Sequence, residues 1–456
     1  MSNCCVVKPA LAPIPAEQLE MLHEASMKIL ADTGINIHHP QCRVLLRDAG
    51  ARVEDDLRVY FPAELVEQAL STAPSRIDVY DRKGVAAMVL EGSNSYFGTG
   101  SDLKFTIDLE TQQQRESTLK DVELSARLCD RLEGIDFVMS HALPNDVPPQ
   151  QCEIEQMRVM LANTSKPLCM TLFSGRETFE TMHEMACQSC GGESKFRKAP
   201  NYIMYGQFVS PLQHDAGAVE RLMLCADHAV PVIYVPTIIL GASGPVSLAG
   251  AIALSNAECL AGLVMHQLRA PGAPFIYGGN VSPLDMKTMV FSYGAPEWRL
   301  SEMAISQLSL RYNLPAFGTA GMTDTKVCDS QAGAEWAFTV LSSAMSGSNL
   351  IHDVGYMDAG LTGSLESLVI CDEIISMTRR FLAGFAVNEQ TLALDMIDRV
   401  GPAGHFMEED DTLDRFAKDV WYPTIFERDR FDRWQQFGSK DVRQRARDRV
   451  RQLLKR

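Results

Sequence analysis

From residue 96 onward the chain repeats one pattern: a short β-branched or aromatic run ends in Gly, Ser or Asn and is followed by a longer segment of helical period. The runs are SYFGT (95–99), IDFVMS (135–140), KPLCMTL (166–172), YIMYGQF (202–208), PVIYVPT (231–237), APFIYGG (273–279), PAFGTA (315–320) and NLIHDVG (349–355). Amphipathic segments at 149–164, 175–190, 212–228, 246–269, 296–313, 330–346 and 364–384 lie between and after them. Strands alternating with helices predict a parallel sheet, and eight such units over about 290 residues are what a closed (β/α)8 TIM barrel requires. A doubly wound open sheet, the competing α/β arrangement, wants a Gly-rich phosphate loop after its first strand, and FGTGSD at 97–102 is not GxGxxG.

Residues 1–94 read as an N-terminal cap, with a helix over about 16–33 that aligns Leu19, Leu22, Ile29 and Leu30, a second helix starting at Pro62, and strand-like runs such as RIDVYD. The barrel is assigned to 95–385. Residues 386–456 form a C-terminal extension whose last helix, from Ser439, alternates charges and is expected to be solvated or to face another subunit; a homo-oligomer is expected.

Composition narrows the partners. The 42 Lys and Arg against 58 Asp and Glu give a formal charge of -16, which disfavours nucleic acid and anionic membranes. A small cationic ligand fits such a chain better, although acidity also serves solubility. No run of about 18 apolar residues predicts a membrane span, and MSNCCVVKPALAPIPAEQ lacks the layout of a secretory leader, so a cytoplasmic protein is expected. The 12 Cys follow no regular spacing and read as free thiols. CQSC at 187–190 has no second Cys/His pair near it and HEMAC is not HExxH, so no metal is expected.

In a barrel the chemistry sits just after each strand. The segments to read are 98–102, 140–141, 173–175, 207–211, 241–245, 277–280, 319–324 and 352–356. Aromatic residues on or beside the strands could form a cage for a quaternary ammonium or fill the core, and Tyr96, Phe97 and Tyr277 are the candidate cage rings. His352 stands in an apolar strand and is followed by Asp353 and Tyr356; it is either a buried imidazole bonded to backbone or a polar anchor in the mouth. Asp324 and Gln331 belong to the densest polar cluster after a strand, which reads as a catalytic and substrate-binding group or as a helix N-cap. His352 and Asp324 are the candidate catalytic residues; Asp353, Tyr356 and Gln331 join the three rings as candidate substrate contacts.

The stretches GPVSLAGAIALSNAECLAG (244–262), RAPGAPFIYGGNVSPLDMKTM (269–289), YGAPEWRLSEMAISQLSLRYNLPAFGTAGMTDTKVCDSQAGAEWA (293–337) and LIHDVGYMDAGLTGSLESLVICDEIISM (350–377) resemble the trimethylamine methyltransferase family, with ADTGINIHHP and VGPAGHF agreeing in order. The resemblance implies a (β/α)8 barrel that demethylates a small methylamine and passes the methyl group to the cobalt(I) corrinoid (cobalamin type) of a separate carrier protein, with no cofactor bound directly. Founding members of that family use pyrrolysine. This chain has only standard residues, which resembles the non-pyrrolysine branch and implies a quaternary amine such as glycine betaine as substrate, with carnitine, proline betaine and γ-butyrobetaine, or a non-catalytic amine-binding role, as alternatives. The loop 320–331 is the region expected to match the pyrrolysine position.

Overall fold

The computed structural model describes residues 6–7, 11–54 and 57–455, the side chains of 6, 7 and 417 excepted. Each expected strand run contributes one stave: β1 (Tyr96–Thr99), β2 (137–138), β3 (Leu168–Thr171), β4 (Tyr202–Phe208), β5 (Val232–Leu240), β6 (Phe275–Ile276), β7 (Phe317–Thr319) and β8 (Leu350–Val354). Parallel pairing joins β3 to β4, β4 to β5, β5 to β6 and β7 to β8. Single bridges join Gly98 to Phe137, Val138 to Leu168 and Tyr277 to Ala316, and β8 pairs with β1, so the sheet closes on itself. A closed barrel has no open edge to protect.

The surrounding helices are α1 (Leu119–Cys129), α2 (Cys152–Asn163), α3 (Arg176–Cys190), α4 (Ala216–His228), α5 (Leu248–Arg269), α6 (Pro296–Tyr312), α7 (Ser330–Ser346) and α8 (Leu365–Leu382). The periodicity expected seven of them and missed α1, although its start is signalled locally: Thr118 and Asp121 form a reciprocal capping box. α5 has the length and composition of a membrane span, but 83% of its apolar window is buried inside the fold. It is buried on all sides, polar residues such as Asn256 and Glu258 included, because barrel strands flank it on one side and the N-terminal helix Ala16–Lys28 on the other, where Ser26 donates to the Ala253 carbonyl at 2.9 Å.

Alternate strand residues fill the barrel: Ile203, Tyr205, Ile233, Val235, Ile276, Phe317 and Leu350 share one buried cluster with Ile77, Val79, Met88 and Leu90. The last four belong to an antiparallel hairpin, Ile77–Tyr80 with Ala86–Leu90, which stoppers the N-terminal end. At the other end β5 outruns the barrel. The chain after β6 continues beside it as Asn280–Asp285 and folds back as the antiparallel strand Val290–Phe291, giving a flap over the mouth.

The charged C-terminal helix, Val442–Lys455, does not stand free. Ala446, Val450 and Leu453 form a buried stripe against α8 and α1, and the Arg127 guanidinium donates to the Leu454 carbonyl at 3.2 Å. Its three apolar positions at helical spacing suffice to seat it while the charges face outward.

Candidate active site

One irregularity in the closing strand pair builds the site. The β8–β1 register shifts between Ile351 and Val354, and Asp353 takes a left-handed φ of 73°. In a regular strand, neighbours point to opposite faces. The shift, a bulge in β8, instead lets both His352 and Asp353 line a cavity of about 210 Å³ at the barrel mouth. Left-handed backbone at a non-glycine residue is costly, and such positions collect where function requires them.

The cavity floor is polar and the wall is aromatic. Its floor holds Asp102, Thr171, Gln207, Thr237, Asn280, His352 and Asp353, and Phe291, Tyr293, Trp298 and Tyr356 form the wall. The wall rings touch in sequence: Phe291 to Trp298 at 5.0 Å, Tyr293 to Trp298 at 4.8 Å and Tyr293 to Tyr356 at 6.2 Å between centroids. Tyr356 is held by its hydroxyl, which donates to the Ser101 carbonyl, and a Cβ at Gly100 would overlap its ring, so glycine is required there. Phe291 and Tyr293 arrive on the returning flap, pinned by Asp324: its carboxylate accepts from Ser292 Oγ at 2.5 Å, Tyr293 N at 2.7 Å and Gly294 N at 3.0 Å.

Among the described residues, the ionisable groups on the lining are Asp102, Asp353, His352 and tyrosines, with neither Lys nor Arg. Burial pushes the Asp353 carboxyl well above the usual range, against the pull of Arg299, and raises Asp102 despite its hydrogen bond from Gln156 Nε2 at 3.0 Å. Arg299 lies behind the floor and is already paired with Glu302 at 2.5 Å. Burial lowers His352 to about 3, so its imidazole is neutral. It packs against Phe317 at 4.6 Å and Tyr205 at 5.3 Å. Nδ1 stands 3.1 Å from Asp353 Oδ1, yet among the described residues neither ring nitrogen has a hydrogen-bond partner, and Asn280 Oδ1 is equally unsatisfied. Buried polar atoms without partners, facing a cavity, mark ligand contacts.

Of the residues singled out from sequence, the structure brings His352, Asp353 and Tyr356 together and leaves the others outside the cavity. Tyr96 opens β1 and therefore sits at the opposite end of the barrel, where its hydroxyl accepts the Val89 N–H at 3.1 Å. Phe97 and Tyr277 point outward into the helical layer: the Arg379 guanidinium lies over the Phe97 ring at 5.8 Å, and Tyr277 donates to Asn256 Oδ1 at 2.7 Å. Asp324 acts on the flap as described. Gln331 is exposed in the first turn of α7, with its N–H on the Asp329 cap and its amide on Glu335 at 2.9 Å. Sequence reasoning missed Phe291, Tyr293 and Trp298. The sign that could have found them is the long segment after the sixth strand, which with the first turn of α6 carries three rings in eight positions, 291–298.

Comparison with known proteins agrees with this architecture. The family model described as trimethylamine methyltransferase (MTTB) matches residues 3–456. The trimethylamine methyltransferase of Desulfitobacterium hafniense is 31% identical over 437 residues, covering 96% of this chain and 88% of that protein. The glycine betaine methyltransferase of Desulfitobacterium hafniense is also 31% identical, over 440 residues, 96% of this chain and 91% of that one. In Methanosarcina barkeri the trimethylamine methyltransferase is 32% identical over 456 residues, with 96% and 90% covered. Among solved structures, the monomethylamine methyltransferase of Methanosarcina barkeri superposes with a TM-score of 0.54 at 10% identity, covering 97% of this chain and 89% of the other, which supports the TIM-barrel fold. A match over nearly the full length, on a barrel with a built pocket at its mouth, establishes that the chain belongs to the trimethylamine methyltransferase family.

Proposed function

We propose that this protein demethylates a small quaternary amine held in the mouth pocket and delivers the methyl group to the cobalt(I) centre of a separate corrinoid protein. The observation that carries the reading is the pairing of an aromatic wall with a floor that holds two carboxyls and, among the described residues, no Lys or Arg. Ring faces attract a quaternary ammonium, and a permanent cation placed beside Asp353 and Asp102 offsets the burial that disfavours their ionised forms. A volume of about 210 Å³ lies below the range of drug-sized pockets and suits a ligand of a few heavy atoms.

The chemistry makes modest demands. The cobalt(I) electron pair forms the new bond to carbon while the carbon–nitrogen pair stays on nitrogen, so a neutral tertiary amine leaves and no general acid is needed. Positive charge spreads in the transition state. Carboxylates that gripped it tightly would stabilise the ground state more, so Asp353 and Asp102 serve binding, and the rings orient the methyl group toward the open mouth. Neutral His352 and Asn280 remain to hold the rest of the molecule.

Glycine betaine, the substrate in one relative's name, is the first candidate, its carboxylate resting on neutral hydroxyls such as those of Thr237 and Thr171. The absence of Lys and Arg from the lining favours a second reading, a quaternary amine without a carboxylate. Mixing the protein with reduced corrinoid carrier and a panel of both kinds of amine, while following the cobalt(I) absorption, separates them. Loss of the band with one class identifies the substrate. Tight amine binding without loss of the band for any amine would make the protein a binder and overturn the enzymatic reading.

A further inference from the structure

At the N-terminal face of the barrel, opposite the mouth, four chemistry-bearing side chains converge. His183 and Cys187 lie one turn apart on α3, Glu193 opens the short helix Glu193–Phe196, and His228 ends α4. Glu193 Oε2 is 2.8 Å from His183 Nε2 and 3.3 Å from Cys187 Sγ, and the sulfur and that nitrogen are 3.5 Å apart. His228 Nδ1 is 3.8 Å from Glu193 Oε1, and the ligand atoms of His183, Glu193 and His228 all lie within 4.8 Å of one another.

We infer that His183, Cys187, Glu193 and His228 bind one divalent transition-metal ion, with zinc best matched to the donors. Two imidazoles, a thiolate and a carboxylate are a borderline-soft set suited to four-coordinate zinc. Tetrahedral bonds of about 2.0 to 2.3 Å put neighbouring donor atoms roughly 3.3 to 3.7 Å apart; the Cys187 Sγ spacings of 3.3 and 3.5 Å match, while the Glu193–His183 contact of 2.8 Å would have to open by about half an ångström. Two further features point the same way. Tyr202 Oη is 3.0 Å from His183 Nδ1, the outer hydrogen bond that turns Nε2 of a ligating histidine inward. His228 Nδ1 is buried without a hydrogen-bond partner among the described residues, which ligation would supply. The Arg197 guanidinium, 2.9 Å from Glu193 Oε1, occupies the other carboxylate oxygen and leaves Oε2 to the ion.

By sequence alone, Cys187 has Cys190 as its only neighbouring Cys or His in the CQSC motif. In the fold Cys187 turns to His183, while the Cys190 thiol donates to the Cys187 carbonyl at 3.4 Å. Since the cluster ties the ends of α3 and α4 at the face away from the pocket, the ion stabilises the barrel and takes no part in methyl transfer.

The test uses the full-length protein, freed of metal by chelator dialysis and titrated with cobalt(II). The expected result is uptake of one ion per chain, with intense tetrahedral ligand-field bands and a thiolate-to-metal charge-transfer band. Cys187→Ser should abolish the charge-transfer band, and His228→Ala should weaken binding at least tenfold. Zinc should raise the melting temperature of the wild-type protein, a readout that stands even if a variant fails to fold. No stoichiometric uptake by the wild type, or a charge-transfer band that persists in Cys187→Ser, would overturn the assignment.

Discussion

The Asp324 carboxylate accepts the backbone N–H of Tyr293 at 2.7 Å, so a residue outside the pocket sets the position of a ring inside it. Its two further hydrogen bonds, from Ser292 and Gly294, fix the same turn. Hydrogen bonds to a charged acceptor are worth about 1.5 to 3 kcal/mol each, but this half-buried turn can recover part of that from water. Asp324→Ala should therefore weaken amine affinity about tenfold while lowering the melting temperature only slightly, checked by calorimetry and thermal denaturation of the same preparation.

Asp353 links binding to stability. Its folded pKa stands above its unfolded value because burial disfavours the anion, so its contribution to stability is complete below the ordinary carboxylate range and is lost as pH rises through the folded value. Asp353→Asn should raise the melting temperature at neutral pH but not near pH 3, roughly below the unfolded carboxylate pKa. The same substitution should abolish measurable binding of quaternary amines. In the wild type, amine affinity should increase with pH, because the ionised carboxylate is the form that pairs with the cation.

The histidines predict acid lability. Burial lowers His352, His214 and His266 to about 3 and His141 to about 4, whereas unfolded histidine titrates near 6.5. Groups with depressed folded values stabilise above the unfolded pKa and lose that contribution as pH falls toward the folded one. The melting temperature should drop steadily from about pH 6.5 downward, and unfolding over that window should take up protons, as measured by calorimetry in two buffers of different ionisation enthalpy.

Two tyrosines separate structure from recognition. Tyr277→Phe leaves Asn256 Oδ1 without its donor and should cost about 1 to 3 kcal/mol of stability with amine affinity unchanged. Tyr293→Ala removes a wall ring and should lower affinity by about 1 to 2 kcal/mol, near tenfold, with a smaller effect on unfolding. Denaturant midpoints and binding isotherms on both variants check the contrast.

The two tyrosines also show where sequence reading stops. The strand runs and helical periods located every stave of the barrel, because burying one face imposes a period that the side chains must obey. Reading the positions just after each strand reached Asp102, Gln207, Asn280, His352, Asp353 and Tyr356, all on the pocket. The three candidate cage rings lie outside the cavity. Tyr96 lies at the wrong end of its strand, and Tyr277, next to inward-facing Ile276, necessarily points out. The wall itself comes from a flap formed where the chain after β6 runs on past the barrel, and its placement depends on tertiary hydrogen bonds to Asp324 that no local period encodes. The helix stripe Ala446, Val450, Leu453 was hidden for a related reason: a few apolar residues among many charges give a weak pattern until a neighbour covers them.

The central claim is that the mouth pocket recognises a fixed positive charge. Isothermal calorimetry should compare the best-binding quaternary amine with its isosteric analogue in which carbon replaces the charged nitrogen. Aromatic faces over two carboxyls predict that the cation binds and that the neutral analogue, of the same shape, binds at least a hundredfold more weakly. Equal affinity for the two would show that the pocket reads shape alone and would contradict the account.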